Sequence, residues 1–187
     1  MKEVIKLGVI LCIIAAVAAA ALGYINGITA GPIEEQKILA DTASRKEALP
    51  EAEKFSQIEV QSPDQFIIVA EVYEGTAGGN TVGYTLKTVP NGYGGIIEVM
   101  VGINAEGVVT GVKIGNHTET PGLGAKVADD EYKNQYQGKT ADMEIMVIKA
   151  GTPSDNEIVA VSGATITSDA VTKGVNEAIK YYNENLK

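Results

Sequence analysis

Apolar positions run unbroken from residue 7 to residue 25, LGVILCIIAAVAAAALGYI, and then stop. The run holds no charge, and the Tyr24 hydroxyl is its only strongly polar group. Nineteen residues at helical rise cover about 28 Å, close to the roughly 30 Å hydrocarbon core of a bilayer. Lys2 and Lys6 precede the run, and the next basic residue, Lys37, comes only after Glu34 and Glu35. The positive-inside rule then keeps the N-terminus in the cytoplasm and sends the rest of the chain across. This pattern predicts a cytoplasmic N-terminus and membrane anchor over 1–25, with Tyr24 at the outer interface. A cleavable signal peptide is the competing reading, because Ala18-Ala19-Ala20 suits signal peptidase. The apolar run continues past those alanines, which favours the anchor, and both readings export the remainder.

Residues 26–56 are rich in charge and helix formers. They predict a connector: a helix continuing from the membrane, a break near Pro50 and a further short turn of helix. From Phe55 the period changes to that of strands. FIIVAEVYEG and TVGYTLKTV flank the Gly-Asn-rich GTAGGN, a hairpin signal. GGIIEVMVGI and VVTGVKIGN flank Asn104-Ala105-Glu106-Gly107, the clearest hairpin, with Ile97, Val99, Val101 and Ile103 on one face. Residues 141–150 predict another strand, and residues 124–136 a polar helix. Residues 169–186 place Val171, Val175, Ala178, Ile179, Tyr182 and Leu186 on one side of an amphipathic terminal helix. The fold class is α+β: one N-terminal transmembrane helix, then a mainly antiparallel twisted sheet with packed helices over 57–187.

Composition narrows the chemistry. The chain has 187 residues, 15 basic against 24 acidic, and a net charge of −9. Setting aside residues 1–25, with Lys2, Lys6 and Glu3, leaves 13 basic and 23 acidic residues and a net charge of −10. Nucleic acid is excluded as a partner, because phosphate affinity needs clustered Lys and Arg. One cysteine and one histidine exclude a disulfide framework, a Cys-ligated cluster and a multi-histidine metal centre within the chain. Cys12 reads as a small membrane-facing hydrophobe, and His117 as a hydrogen-bonding surface residue. No metal site, nucleophile triad, acid–base pair or P-loop stands out. The mean hydropathy of +0.05 averages two unlike pieces.

Two glycine-bearing motifs remain. Ser162-Gly163-Ala164-Thr165-Ile166-Thr167-Ser168 follows the apolar Ile158-Val159-Ala160-Val161 and opens the terminal helix. Small residues permit close backbone approach, and a helix start is a natural seat for phosphate. The plainer reading is a strand-to-helix turn, with Thr167 or Ser168 as the cap and Asp169 in the first turn. His117-Thr118-Glu119-Thr120-Pro121-Gly122-Leu123-Gly124 follows the clear hairpin. Its glycines make a tight loop that can lie against a flat ring. Glu119 there is either a ligand contact or a solvated carboxylate.

Taken together, SGATITS, the upstream HTETPGLG and the N-terminal anchor resemble the FMN-binding domain family over essentially the whole chain. Within it they are similar to the G subunits of Rnf-type ion-translocating electron-transport complexes. The sodium-pumping NADH:quinone reductases hold a close relative, their C subunit, which is the alternative assignment. A membrane-anchored FMN sensor with no electron-transfer role is the rival outside that class. The resemblance implies FMN as cofactor, joined through its phosphate to Thr165 rather than Thr167 by a separate flavin transferase. Ser162, Gly163, Ala164 and Thr167 would surround the phosphate. Glu119, Thr120, Pro121, Gly122, Leu123 and Gly124 would line the isoalloxazine, with Leu123 as an apolar face. It further implies a non-autonomous electron-transfer subunit in the cell (inner) membrane, relaying electrons between ferredoxin and NAD among other membrane and redox subunits. One position departs from the transferase pattern: Val159 stands where an Asp is usual.

Overall fold

The structure is a computed structural model and describes residues 2–187. Helix α1 runs from Lys2 to Ala48. It contains Pro32, which lacks the N–H that would bond the carbonyl of Ile28, and it continues regardless. Residues up to Asp41 form one unit of the chain, with the apolar run exposed along the helix, and residues from Thr42 form the other. The predicted break near Pro50 is present as a turn closed by Ala52 N–H to Leu49 O. The predicted further turn of helix is not: after Ala52 the backbone is extended, and strand β1 (Lys54–Ile58) pairs with the next strand instead.

Five strands follow in sheet order β1-β2-β3-β4-β5, every pair antiparallel: β2 is Val69–Ala77, β3 Asn80–Thr88, β4 Val99–Asn104 and β5 Val109–Ile114. Both predicted hairpins form. The first closes on Gly78 and Gly79 at φ +58° and +85°, a two-residue turn whose positive φ values suit glycine. In the second, Ile97, Val99, Val101 and Ile103 are all fully buried, so the predicted face is the core face.

Helix α3 (Thr165–Asn185) lies on that face, with Val171, Val175, Ala178, Ile179 and Tyr182 buried against Leu86, Val101 and Ile103. The opposite face receives the last turn of α1. Gly102 and Gly111 sit beneath the Ala48 carbonyl, which also accepts a bond from Thr110 Oγ1 at 2.5 Å. Arg45 lies 3.7 Å above the Tyr73 ring and bonds Glu71 at 3.2 Å.

Residues 124–136 are a broken helix. A 3-10 stretch (Gly124–Ala128) gives way to a single α turn, α2 (Asp130–Lys133), and a second 3-10 turn. Tyr132 and Tyr136 are drawn into the core, where their hydroxyls meet at 2.9 Å and Tyr136 reaches Thr172 Oγ1 at 2.7 Å. Of the strand expected over 141–150, only β6 (Met146–Ile148) forms. It pairs parallel with β7 (Glu157–Val159) in a separate two-stranded sheet.

Candidate functional site

Three loops converge at one end of the main sheet. The first joins β3 to β4 and reads Asn91-Gly92-Tyr93-Gly94-Gly95-Ile96. It is closed by Gly92 N–H to Gly95 O at 2.7 Å and by an Asn91–Ile96 bridge. The second leaves β5 and carries His117 to Gly124. Thr118 Oγ1 donates to Gly94 O at 2.8 Å, so the two loops are stitched together. Gly122, at φ +78°, turns the chain, and the N–H groups of Leu123 and Ala125 both bond Thr120 O at 3.2 Å. The third is the turn from β7 into α3, closed by Ala164 N–H to Val161 O at 2.9 Å with Gly163 at φ +76°.

Glu119 ties all three. Its side chain is buried; Oε1 accepts Gly94 N–H at 2.9 Å and Oε2 accepts Thr167 Oγ1 at 2.8 Å. The solvated alternative for this carboxylate is therefore excluded. His117 is half-buried, and its Nδ1 accepts the Glu119 N–H at 3.3 Å.

The helix start also differs from the expected one. Ala164 is the N-cap, and neither Thr167 nor Ser168 caps the helix. Both lie inside the first turn because α3 begins at Thr165, four residues before 169. Ser168 Oγ is buried, accepting Val161 N–H at 3.0 Å and donating to Ala164 O at 3.1 Å. Thr167 is spent on Glu119. Thr165 is half-buried and, among the described residues, nothing hydrogen-bonds its hydroxyl.

A cavity of about 470 Å³ opens between these loops, lined by Tyr93, Glu119, Thr120, Leu123, Gly124 and residues 163–167. The two glycine motifs therefore share one site. Pro121 and Gly122 are exposed and do not line it. Ser162 faces a neighbouring cavity with Lys126, Gln135 and Val159. Val159 is held there through its backbone, its N–H donating to Gln135 Oε1 at 2.7 Å. Two lining residues, Tyr93 and Ile166, were not expected. The signal for Tyr93 was its bracket of glycines; Ile166 sits inside the SGATITS motif itself.

The cavity suits a flavin mononucleotide in three respects. Its volume falls within the range of about 300–1,000 Å³ usual for ligand sites. Its walls offer exposed apolar side chains from Tyr93, Leu123 and Ile166 for a flat ring. The first N–H groups of α3, which have no partner within the helix, favour a phosphate beside residues 163–167. Glycine is needed at two points of contact: a Cβ on Gly124 would meet Glu119 Oε2, and one on Gly163 would approach Leu123 Cδ2 to 3.3 Å.

Comparison with known proteins agrees with that fit. A family model described as FMN-binding domain matches residues 92–180. The chain is 46% identical to the G subunit of the Na(+)-translocating ferredoxin:NAD(+) oxidoreductase complex of Acetobacterium woodii, over 97% of this chain and 92% of that protein. The chain belongs to the FMN-binding domain family. Among solved members of its fold is NqrC of Shewanella oneidensis, with a TM-score of 0.55 and 20% identity over 75% of this chain and 72% of that one. The C subunit of a Na(+)-translocating NADH-quinone reductase from Parabacteroides distasonis superposes with a TM-score of 0.53 and 23% identity, over 61% of each chain. In the family match, the residues from Gly92 to Lys180 span both glycine motifs and the Tyr93 loop.

Proposed function

We propose that this chain is the FMN-carrying G subunit of an Rnf-type ion-translocating ferredoxin:NAD oxidoreductase, with FMN joined by a phosphoester to Thr165. When bound, FMN supplies reversible one- and two-electron transfer, while the protein supplies position and tuning. The observation that carries the attachment is the Thr165 hydroxyl. Among the hydroxyls of the first turn of α3 it is the uncommitted one and it lines the cavity, since Thr167 donates to Glu119 and Ser168 to Ala164. In the attachment a flavin transferase joins Thr165 Oγ to the FMN phosphorus of FAD. The pyrophosphate bond breaks, AMP leaves and the threonine proton is released. The N–H groups at the start of α3 then hold the phosphate, Leu123 and the Gly163 turn face the ring, and Glu119 fixes the loops around it.

The anchor reading rests on the exposed apolar stretch of α1 and on Lys2 and Lys6 before it. It puts the N-terminus in the cytoplasm and the FMN-binding domain, 57–187, outside the cell membrane. Other membrane and redox subunits are the electron partners. Identity of 46% to an Rnf-type subunit, against 23% or less to the quinone-reductase subunits, favours the former.

The test is coexpression with a flavin transferase and a denaturing gel viewed under ultraviolet light. The wild-type band should fluoresce and its intact mass should rise by FMN less one water; Thr165→Val should lose both. A dark wild-type band overturns the covalent attachment, and a fluorescent Thr165→Val band moves it to another residue.

A further inference from the structure

We propose that Tyr93 is the aromatic wall of this site, its ring lying against the isoalloxazine and quenching flavin emission, and that Glu119 is the positioning residue that holds it there. The proposal rests on the FMN reading above. Tyr93 is 73% exposed, Ile166 59% and Leu123 47%, and all three line the same cavity although they come from two separate loops and the first turn of α3. Single exposed apolar side chains are ordinary on a protein surface, but three converging on one opening mark a binding surface.

The loop that carries Tyr93 is built to hold it still. Gly94 N–H is bonded to Glu119, Gly94 O to Thr118, and Gly92 N–H to Gly95 O. Its glycines are there because side chains do not fit. A Cβ on Gly92 would meet Glu119 Oε1 and the Ile97 side chain, and one on Gly94 would meet the Thr118 carbonyl. A Cβ on Gly95 would come within 2.7 Å of Thr118 Oγ1, at a backbone φ of +144°. Between Gly92 and Gly95, Tyr93 thus carries the one side chain, on a loop moulded around a buried carboxylate. The other oxygen of that carboxylate bonds Thr167, two residues past Thr165. One residue therefore sets both the Tyr93 loop and the start of α3, two walls of the cavity.

An electron-rich phenol ring stacks well on a flat, electron-poor heterocycle. On illumination Tyr93 gives one electron to the excited ring and takes it back on recombination. Light emission is lost and nothing is oxidised or reduced overall. The ratio of native to denatured flavin fluorescence, at equal flavin content, reads this contact directly. In the flavinylated full chain, Tyr93→Leu should raise that ratio several-fold. Tyr93→Phe should also raise it, because phenylalanine restores the packing but is a far poorer electron donor. Glu119→Ala should raise it with Tyr93 still present, and Glu119→Gln, which keeps an acceptor for Gly94 N–H, should bring it back toward wild type. A Tyr93→Leu ratio equal to wild type overturns the proposal. If no flavin is covalently attached, FMN itself is titrated into the chain. Quenching by wild type but not by Tyr93→Leu then supports the Tyr93 wall and disposes of the attachment alone, while equal emission from both overturns the wall.

Discussion

Glu119 has two partners, each depending on it for an acceptor, and its loss is expected to be costly. Glu119→Ala strands the Gly94 N–H and the buried Thr167 hydroxyl. Unsatisfied groups of this kind cost about 1–3 kcal/mol, which urea unfolding of the full chain in detergent should register. Gly124→Ala attacks the same contact from the other side, since its Cβ would come to 3.0 Å from both Glu119 Cβ and Thr167 Oγ1 and still closer to Oε2. Overpacking of this sort costs about 1–3 kcal/mol, so a lower melting temperature is the expected outcome. The sequence left Glu119 open between ligand contact and solvated loop for a physical reason. Its deciding partner, Thr167, lies 48 positions away, and only the fold brings the two together. Gly163 and Gly124 were readable as sites of close approach; that Gly92, Gly94 and Gly95 pack closely beside the site was not, because the groups they meet, Thr118 and Glu119, lie more than twenty positions on.

The elements that the sequence shows best are those with a single buried face. The Ile97-to-Ile103 alternation and the Val171-to-Tyr182 spacing each meet one partner surface, and both were legible in full. Where an element is held by specific side chains the pattern misleads. Residues 124–136 carry no strong breaker, yet the pull of Tyr132 and Tyr136 into the core divides the helix into three short pieces. The cap of α3 was misplaced because Thr167 and Ser168 satisfy other groups than the helix's own N–H groups. The buried hydroxyl chain from Tyr132 through Tyr136 to Thr172 explains why the broken segment stays put. Burial drives the Tyr136 phenol well above its ordinary range, so it persists there as a neutral hydroxyl. Tyr136→Phe removes one bond each from the Tyr132 and Thr172 hydroxyls, which keep the Ser168 carbonyl, and should lower stability by about 1 kcal/mol, measured as a shift in urea midpoint. On the other face of the sheet, Gly102→Ala would drive a methyl into the Ala48 carbonyl, which is backbone and cannot swing aside. It should destabilise the full chain by more than Gly78→Ala, where only the positive φ resists.

For the molecule as a whole, acid is the condition expected to loosen it. The Lys133 ammonium donates to Asp130 and holds that carboxyl below its usual value, and the Ser154 N–H does the same for Glu157. A carboxyl whose folded pKa is depressed contributes stability that is present at neutral pH. That contribution is lost as pH falls through the depressed value, beneath the usual carboxylate range. Asp130 is exposed and Glu157 only half-buried, so the effect is modest. The urea midpoint should hold steady from neutral pH down to the carboxylate range and decline beneath it, and Asp130→Asn should flatten part of the decline. Membrane attachment is tested separately: the full chain should resist alkaline carbonate extraction, and deletion of residues 2–25 should release the remainder.

The order of the cavity walls along the chain has a consequence for biosynthesis. Tyr93 and Glu119 emerge first, but residues 163–167 come only with α3, the last element in chain order. A ribosome must therefore pass all of the sheet strands before the site exists. The apolar segment 7–25, by contrast, is made at the outset. Occupation of the complete cavity is thereby deferred until that late stretch has been translated, and a chain cut short before residue 163 would keep its apolar helix but lack one wall of the site.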